Sequence, residues 1–173
     1  NKESPEEVSE EKLEKLKVAI NYIKTSFSSG PAPKVYTLEG LNVVRSILFS
    51  LLEKRSDIWI YGLAENENLI NVLNDRLMHS FHLERIKKHI DLKLLFYKFP
   101  EEEIKTLSSI KFTEARLLSK ARQTETSQIT QIVCGSEVYI TLWIDPVYTI
   151  IIENETIAKE YRDLYSIVWE HSK

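Results

Sequence analysis

The sequence predicts an α/β fold in which helices flank a mixed β-sheet, preceded by an N-terminal coiled-coil helix. Three observations carry that expectation. Strand-like and helix-like runs alternate between residues 34 and 109, and four strand-like runs then follow with short gaps between 113 and 152. Residues 13 to 27 carry an apolar seam at heptad spacing. With 173 residues, 43% of them hydrophobic, the chain suffices for one good core; domains of this size bury roughly 70% of their unfolded surface.

The first element opens on Ser4, Pro5, Glu6 and Glu7, a cap, a first-turn proline and acids near the positive end of a helix dipole. Leu13, Leu16, Ile20, Ile23 and Phe27 then step by three, four, three and four residues, with Lys and Glu on the flanks. This is the a/d spacing of a two-stranded coiled coil, so these five side chains are the expected dimerisation seam. An amphipathic helix lying on its own domain would show a similar stripe. Ser28, Ser29, Gly30, Pro31, Ala32 and Pro33 suit neither a helix nor a central strand and read as a linker. The chain is therefore expected to divide into a coiled-coil helix over 1–30 and a main domain over 31–173. It begins with Asn1 instead of Met, which gives the expectation of a fragment or a processed product.

In the main domain, 34–38 (KVYTL) reads as a short strand. Residues 40–55 form a helix with Val43, Val44, Ile47, Leu48, Leu51 and Leu52 on one face, and 57–63 (DIWIYGL) a buried strand. Residues 66–89 suggest one long charged helix, 92–99 (LKLLFYKF) a strand, and 101–109 a short helix begun by Pro100 and three glutamates. Helices placed between strands favour parallel pairing. Strands follow at 113–118, 129–133, 138–143 and 148–152, with a hairpin turn at Gly135 and Ser136 and a polar loop, SKARQTETSQ, at 119–128. An amphipathic helix over 155–170 closes the chain, with Ile157, Tyr161, Leu164, Tyr165, Val168 and Trp169 on one side.

Composition narrows the function. With 23 basic and 26 acidic residues the net charge is -3, so no broad positive field serves non-specific nucleic-acid binding, and DNA would be touched only by another segment. The single cysteine, Cys134, forms no internal disulfide and no multi-cysteine metal cage, and its apolar neighbours read as the site of a packed, inert thiol. No apolar run approaches the roughly 20 residues of a membrane span, and residues 1–30 lack the apolar centre of a signal peptide, so a cytoplasmic location is expected.

Four segments share one resemblance. PKVYTLEGLNVVRSIL (33–48), TEARLLSK (113–120), QIVCGSEVYITLW (131–143) and TIIIENETIAKEYRDLYSIVWE (149–170) occur in the order found in TrmB-like transcriptional regulators. In that order an entry strand with Glu-Gly and a helix precedes an Arg-bearing strand, a hairpin and an isoleucine-rich strand with its closing helix. The resemblance implies an effector domain related to one half of the phospholipase D superfamily, preceded by a coiled-coil linker and, further upstream, a winged-helix DNA-binding domain. The seam from Leu13 to Phe27 lies where that linker belongs. This sequence contains no winged helix, so DNA is expected as a partner only through a domain absent from it. The sugar-sensing C-terminal region of the best-known members has no counterpart here, so sugar specificity does not carry over.

The catalytic motif of the phospholipase D superfamily is missing. It needs a His that attacks phosphorus, a Lys two residues later that holds the oxyanion, and an Asp about six residues further on. His79 is followed two residues later by Phe81, His82 by Glu84, and His89 by Asp91, while His171 is followed by Lys173 with no Asp after it. No catalytic residue is expected. The spacing of His79, His82 and His89 puts them on neighbouring helical positions near Glu84 and Asp75, but without cysteines or a carboxylate pair the set reads as a solvated face and no metal is expected. Only four glycines are present and none forms a phosphate loop, so no nucleotide cofactor is expected either.

Open α/β sheets place ligands at the carboxyl ends of their strands. Here those ends carry Glu39, Gly40, Tyr61 and Gly62, and Gly40 would let a ligand approach the backbone. Arg116 on a strand must meet a carboxylate or an anion if it faces inward, and Glu114, Glu39 or a bound anion are the expected partners. Trp59 and Trp143 read as packing aromatics. The expected function is a homodimeric effector domain whose small ligand, anionic or sugar-like, modulates an attached DNA-binding head. The alternative is a ligand-free dimeric interaction module.

Overall fold

The computed structural model describes residues 14–18, 32–64, 67–73, 76–118 and 127–173. The chain divides into two units, Asn1–Ala32 and Pro33–Lys173. In the first, residues 14–18 are helical and exposed, with Leu16 58% accessible and Lys17 paired to Glu14 one turn earlier. Leu13, Ile20, Ile23 and Phe27 lie outside the described residues.

The second unit runs β1 (Lys34–Glu39), α1 (Leu41–Glu53), β2 (Ile58–Ala64), α2 (Glu67–Leu73), α3 (Arg76–Lys87), β3 (Leu92–Lys98) and α4 (Glu101–Ser108). β4 (Thr113–Leu117), β5 (Ile129–Cys134), β6 (Glu137–Leu142), β7 (Tyr148–Glu153) and α5 (Glu155–Glu170) complete it. The seven strands form one mixed sheet in the order β1-β7-β6-β5-β2-β3-β4, flanked by helices as expected. β2, β3 and β4 are parallel, each joined to the next through helix, and the other pairs are antiparallel. The long helix expected over 66–89 is two helices, α2 and α3. Most of the expected loop, 119–126, lies outside the described residues.

The strand β1 departs from the pattern. A strand-helix-strand order favours a parallel neighbour, yet β1 lies at the far edge of the sheet, antiparallel to β7, with three strands between it and β2. Its partner is the isoleucine run Ile150–Ile152, which closes the chain's last strand.

Period-two alternation splits each central strand between two cores. On one face Ile58, Leu92, Leu94, Phe96 and Ile132 meet Val44, Leu48, Leu51 of α1 and Phe81 of α3. On the other, Val133 and Val138 meet Ala158 and Tyr165 of α5, and Leu95 and Leu118 meet Trp169. The Asn154 side chain caps α5 by accepting from the Ile157 N–H at 3.0 Å. Cys134 is fully buried, and burial pushes its thiol up to about 11, so it is the inert packing group expected of it.

Arg85 is the one fully buried cation among the described residues. Its guanidinium leaves α3 and donates to the carbonyls of Ile90 and Phe112, both at 2.6 Å, to that of Lys111 at 3.2 Å, and to Thr113 Oγ1 at 2.6 Å. One side chain thereby ties the end of α3 to the turns that launch β3 and β4. Lys173 closes the β4 edge, exchanging backbone bonds with Leu117 in both directions, at 2.6 and 2.9 Å.

Candidate functional site

The strand order separates the six residues expected around one crevice. Glu39 and Gly40 stand at the end of β1, Tyr61 and Gly62 on β2, and Glu114 and Arg116 on β4 at the opposite edge. Glu39 is opposite Tyr148, and its carboxylate accepts a hydrogen bond from the phenol, holding that phenol protonated to higher pH than usual. Gly40, at φ 108, occupies backbone space that favours glycine, and its N–H donates to the Val147 carbonyl at 2.7 Å. Gly62, at φ 85, sits in an irregularity of β2 where a Cβ would come within 2.6 Å of the Ile129 carbonyl oxygen. Glycine is needed there for strand packing.

Tyr61 and Arg116 do share a face, in the row Tyr61–Leu95–Arg116 across β2, β3 and β4. That face lies under α5. Arg116 stacks on Trp169, its guanidinium carbon 4.4 Å from the ring centre, and donates to the Trp169 carbonyl at 3.0 Å. Of its expected partners, Glu114 is near, at 3.8 Å, and Glu39 is on the other edge of the sheet. In the next row the Lys93 ammonium lies 4.4 Å from the centre of the Trp59 ring and 5.5 Å from that of Trp169. Trp59, Lys93, Trp169 and Arg116 thus form an alternating stack of rings and cations. Tyr97 donates to the Tyr61 hydroxyl at 2.8 Å, and Tyr165 packs on the Tyr61 ring at 5.1 Å. The space left among these side chains is about 10 Å³, no more than one water. Sequence reasoning missed Trp169 as the partner of Arg116, Lys93 as that of Trp59, and Tyr97 and Tyr165 as those of Tyr61. A lysine inside the apolar strand LKLLFYK was the available signal, since such a cation must find acceptors or rings.

Among the described residues, further openings lie elsewhere. Under α1 and α3 a cavity of about 60 Å³ is lined by Leu48, Leu63, Val72, Met78, Phe81 and Trp143 among others. The polar groups in its wall are satisfied locally, Trp143 Nε1 donating to Thr130 Oγ1 at 2.7 Å and Thr141 bonding Thr149 at 3.0 Å. A polar groove of about 550 Å³ opens at the other end of the sheet, between Arg55, Ser56, Asp57, Trp59, Ser136 and Arg162. Arg162 donates to the Gly135 carbonyl at 2.6 Å, and Arg55 holds a left-handed backbone at φ 50.

The histidines stand apart from the strand ends. His79 and His82 are on α3, His89 follows it with its ring on Phe112 at 5.4 Å, and His171 ends α5 with Nδ1 2.7 Å from the Ile167 carbonyl oxygen. Burial, with the Arg85 charge beside it, holds His82 down to about 4 from 6.5. Between those values the unfolded chain takes up a proton that the folded chain refuses, so this group's contribution to stability is lost as pH falls from about 6.5 to about 4. Urea midpoints measured across that window should fall with pH, and His82→Gln should flatten the decline relative to the parent chain.

These features define a class: an α/β domain of the phospholipase D-like fold, with a mixed seven-stranded sheet between helices. Solved structures share it, three of them as follows. TrmBL2, described as an archaeal chromatin protein with a novel mode of DNA binding, superposes with a TM-score of 0.55 at 17% identity, over 97% of this chain and 64% of that one. NucT from Helicobacter pylori gives 0.54 at 11% identity, over 82% of this chain and 98% of that one. Nuc from Salmonella typhimurium, a phospholipase D family member, gives 0.54 at 14% identity, over 82% and 97%. At these identities the likeness is one of fold. No family model matches the sequence, and no curated protein does. Among the described residues no helix is long and apolar enough to cross a membrane.

Proposed function

We infer that this chain is a non-catalytic effector and dimerisation domain of a cytoplasmic transcription regulator, acting on DNA through a head outside this sequence. The observations that support the reading are the shared fold and the histidine spacings. The fold is common to Nuc and to the DNA-binding TrmBL2, while no histidine in the sequence is followed by the Lys and Asp spacing of the phospholipase D motif. Dimerisation is assigned to the seam of Leu13, Leu16, Ile20, Ile23 and Phe27, and the exposed Leu16 supports it. The groove beside Arg55 and Arg162 offers a small polar ligand more room than the region of Tyr61 and Arg116.

The filled face around Arg116 favours a second reading, a dimeric interaction module without ligand. A thermal-shift series with sugars, sugar phosphates and sulfate separates the two, because a ligand at 100 times its dissociation constant adds about 2.7 kcal/mol. The non-catalytic reading itself is tested with bis(p-nitrophenyl) phosphate in the presence of chelator. No hydrolysis above background is expected. Turnover that disappears on replacing a histidine by alanine would overturn it.

A further inference from the structure

The two edges of the sheet are finished differently. The β4 edge is closed by the chain's own Lys173, while β1 is exposed along its whole length on both faces. Val35, Tyr36 and Leu38 are 59%, 47% and 39% accessible, an apolar share that solvent-facing edge strands ordinarily avoid. The strand carries one lysine, Lys34, held by Glu153 of β7 at 3.3 Å, and no proline or bulge blunts it.

The register determines what this edge can bind. Gly40 bonds to Val147, so by the alternation of an antiparallel ladder Leu38, Tyr36 and Lys34 also turn their N–H and C=O groups toward β7. Val35, Thr37 and Glu39 therefore present theirs outward. An antiparallel copy of the same strand related by a two-fold axis at Thr37 satisfies all of them. Thr37 then bonds its own counterpart, and Val35 bonds Glu39 of the second copy. On the face shared with Ile151 and Tyr139, Tyr36 comes opposite Leu38 of the second copy, an aromatic-aliphatic pair that withdraws both side chains from water. Even spacing about Thr37 keeps equivalent faces together, as a continuous sheet requires.

We propose that β1 is a dimerisation edge, pairing antiparallel with β1 of a second copy to join the two mixed sheets into one of fourteen strands, seven from each copy. The proposal rests on the homodimeric reading above. The predicted seam ends at Phe27, and only residues 28–33 separate it from β1. Isologous contact of this kind closes on itself and leaves no free edge to propagate.

A thiol at the axis tests it. Cys134 is buried and its thiol is pushed up to about 11, so it does not compete for a maleimide. Thr37→Cys places two thiols on residues whose Cα atoms are about 5.5 Å apart across the axis, and Glu114→Cys, at the other edge, is the control. Each variant of the full chain is sedimented and then treated with a short bismaleimide. The expected result is a dimer that cross-links at residue 37 and not at residue 114. A dimer without cross-linking at 37 overturns the edge and leaves the coiled-coil dimer standing. A monomer overturns both, and equal cross-linking at the two positions marks random collision and also overturns the edge.

Discussion

Replacing Arg85 by methionine is expected to cost about 3–5 kcal/mol of folding stability, because it strips a buried donor from several fixed acceptors at once. The guanidinium donates to three backbone carbonyls and to Thr113, and among the described residues no carboxylate accepts from it. Methionine fills much of the volume, so the loss reports unsatisfied carbonyls more than an empty space. Arg85→Lys should recover little, since an ammonium cannot span the Ile90, Lys111 and Phe112 carbonyls with the reach of the planar fork. Urea denaturation measures both. A loss below about 1 kcal/mol for Arg85→Met would show that the carbonyls find other donors when the guanidinium is removed.

Trp169→Ala is expected to cost about 3–5 kcal/mol, the range for removing a large buried aromatic. Trp169 is buried at the end of α5 against Leu95 and Leu118, and it is the ring shared by Lys93 and Arg116. Trp169→Phe keeps a ring in place with a weaker face for the two cations, and should lose roughly 1–2 kcal/mol. A Trp169→Phe loss no larger than its smaller apolar surface requires would mean that hydrocarbon burial accounts for the whole effect and the cation stack for none. Arg116 itself is 35% accessible, so its pair with Glu114 contributes little, and its bond to the Trp169 carbonyl acts mainly to hold the helix end.

Much of the fold was legible in the sequence because its signals are local. The 40–55 stripe became α1, the Gly135–Ser136 turn joined β5 to β6, and the 155–170 stripe became α5. The sheet order was not legible. Which strand neighbours β1 depends on the burial that β7 offers it, and nothing in KVYTL distinguishes an edge beside the last strand from a place beside β2. The candidate site suffered from that gap. Taken in sequence order two strands separate Glu39 on β1 from Arg116 on β4, and in the sheet five do, β7, β6, β5, β2 and β3. Arg116 turns to the face covered by α5, where it meets a backbone carbonyl of a helix more than 50 residues later besides the Glu114 two residues before it. Arg85 gave no signal at all, because a cation on a charged helix looks like solvent-facing surface until the turns it reaches are in place.

Sedimentation equilibrium of the whole chain tests the central claim most directly. The account predicts a dimer for the parent chain and a folded monomer when Leu16 and Ile20 are both replaced by glutamate, with the circular dichroism of the α/β domain retained. A parent chain that sediments as a monomer at every concentration tried would contradict it.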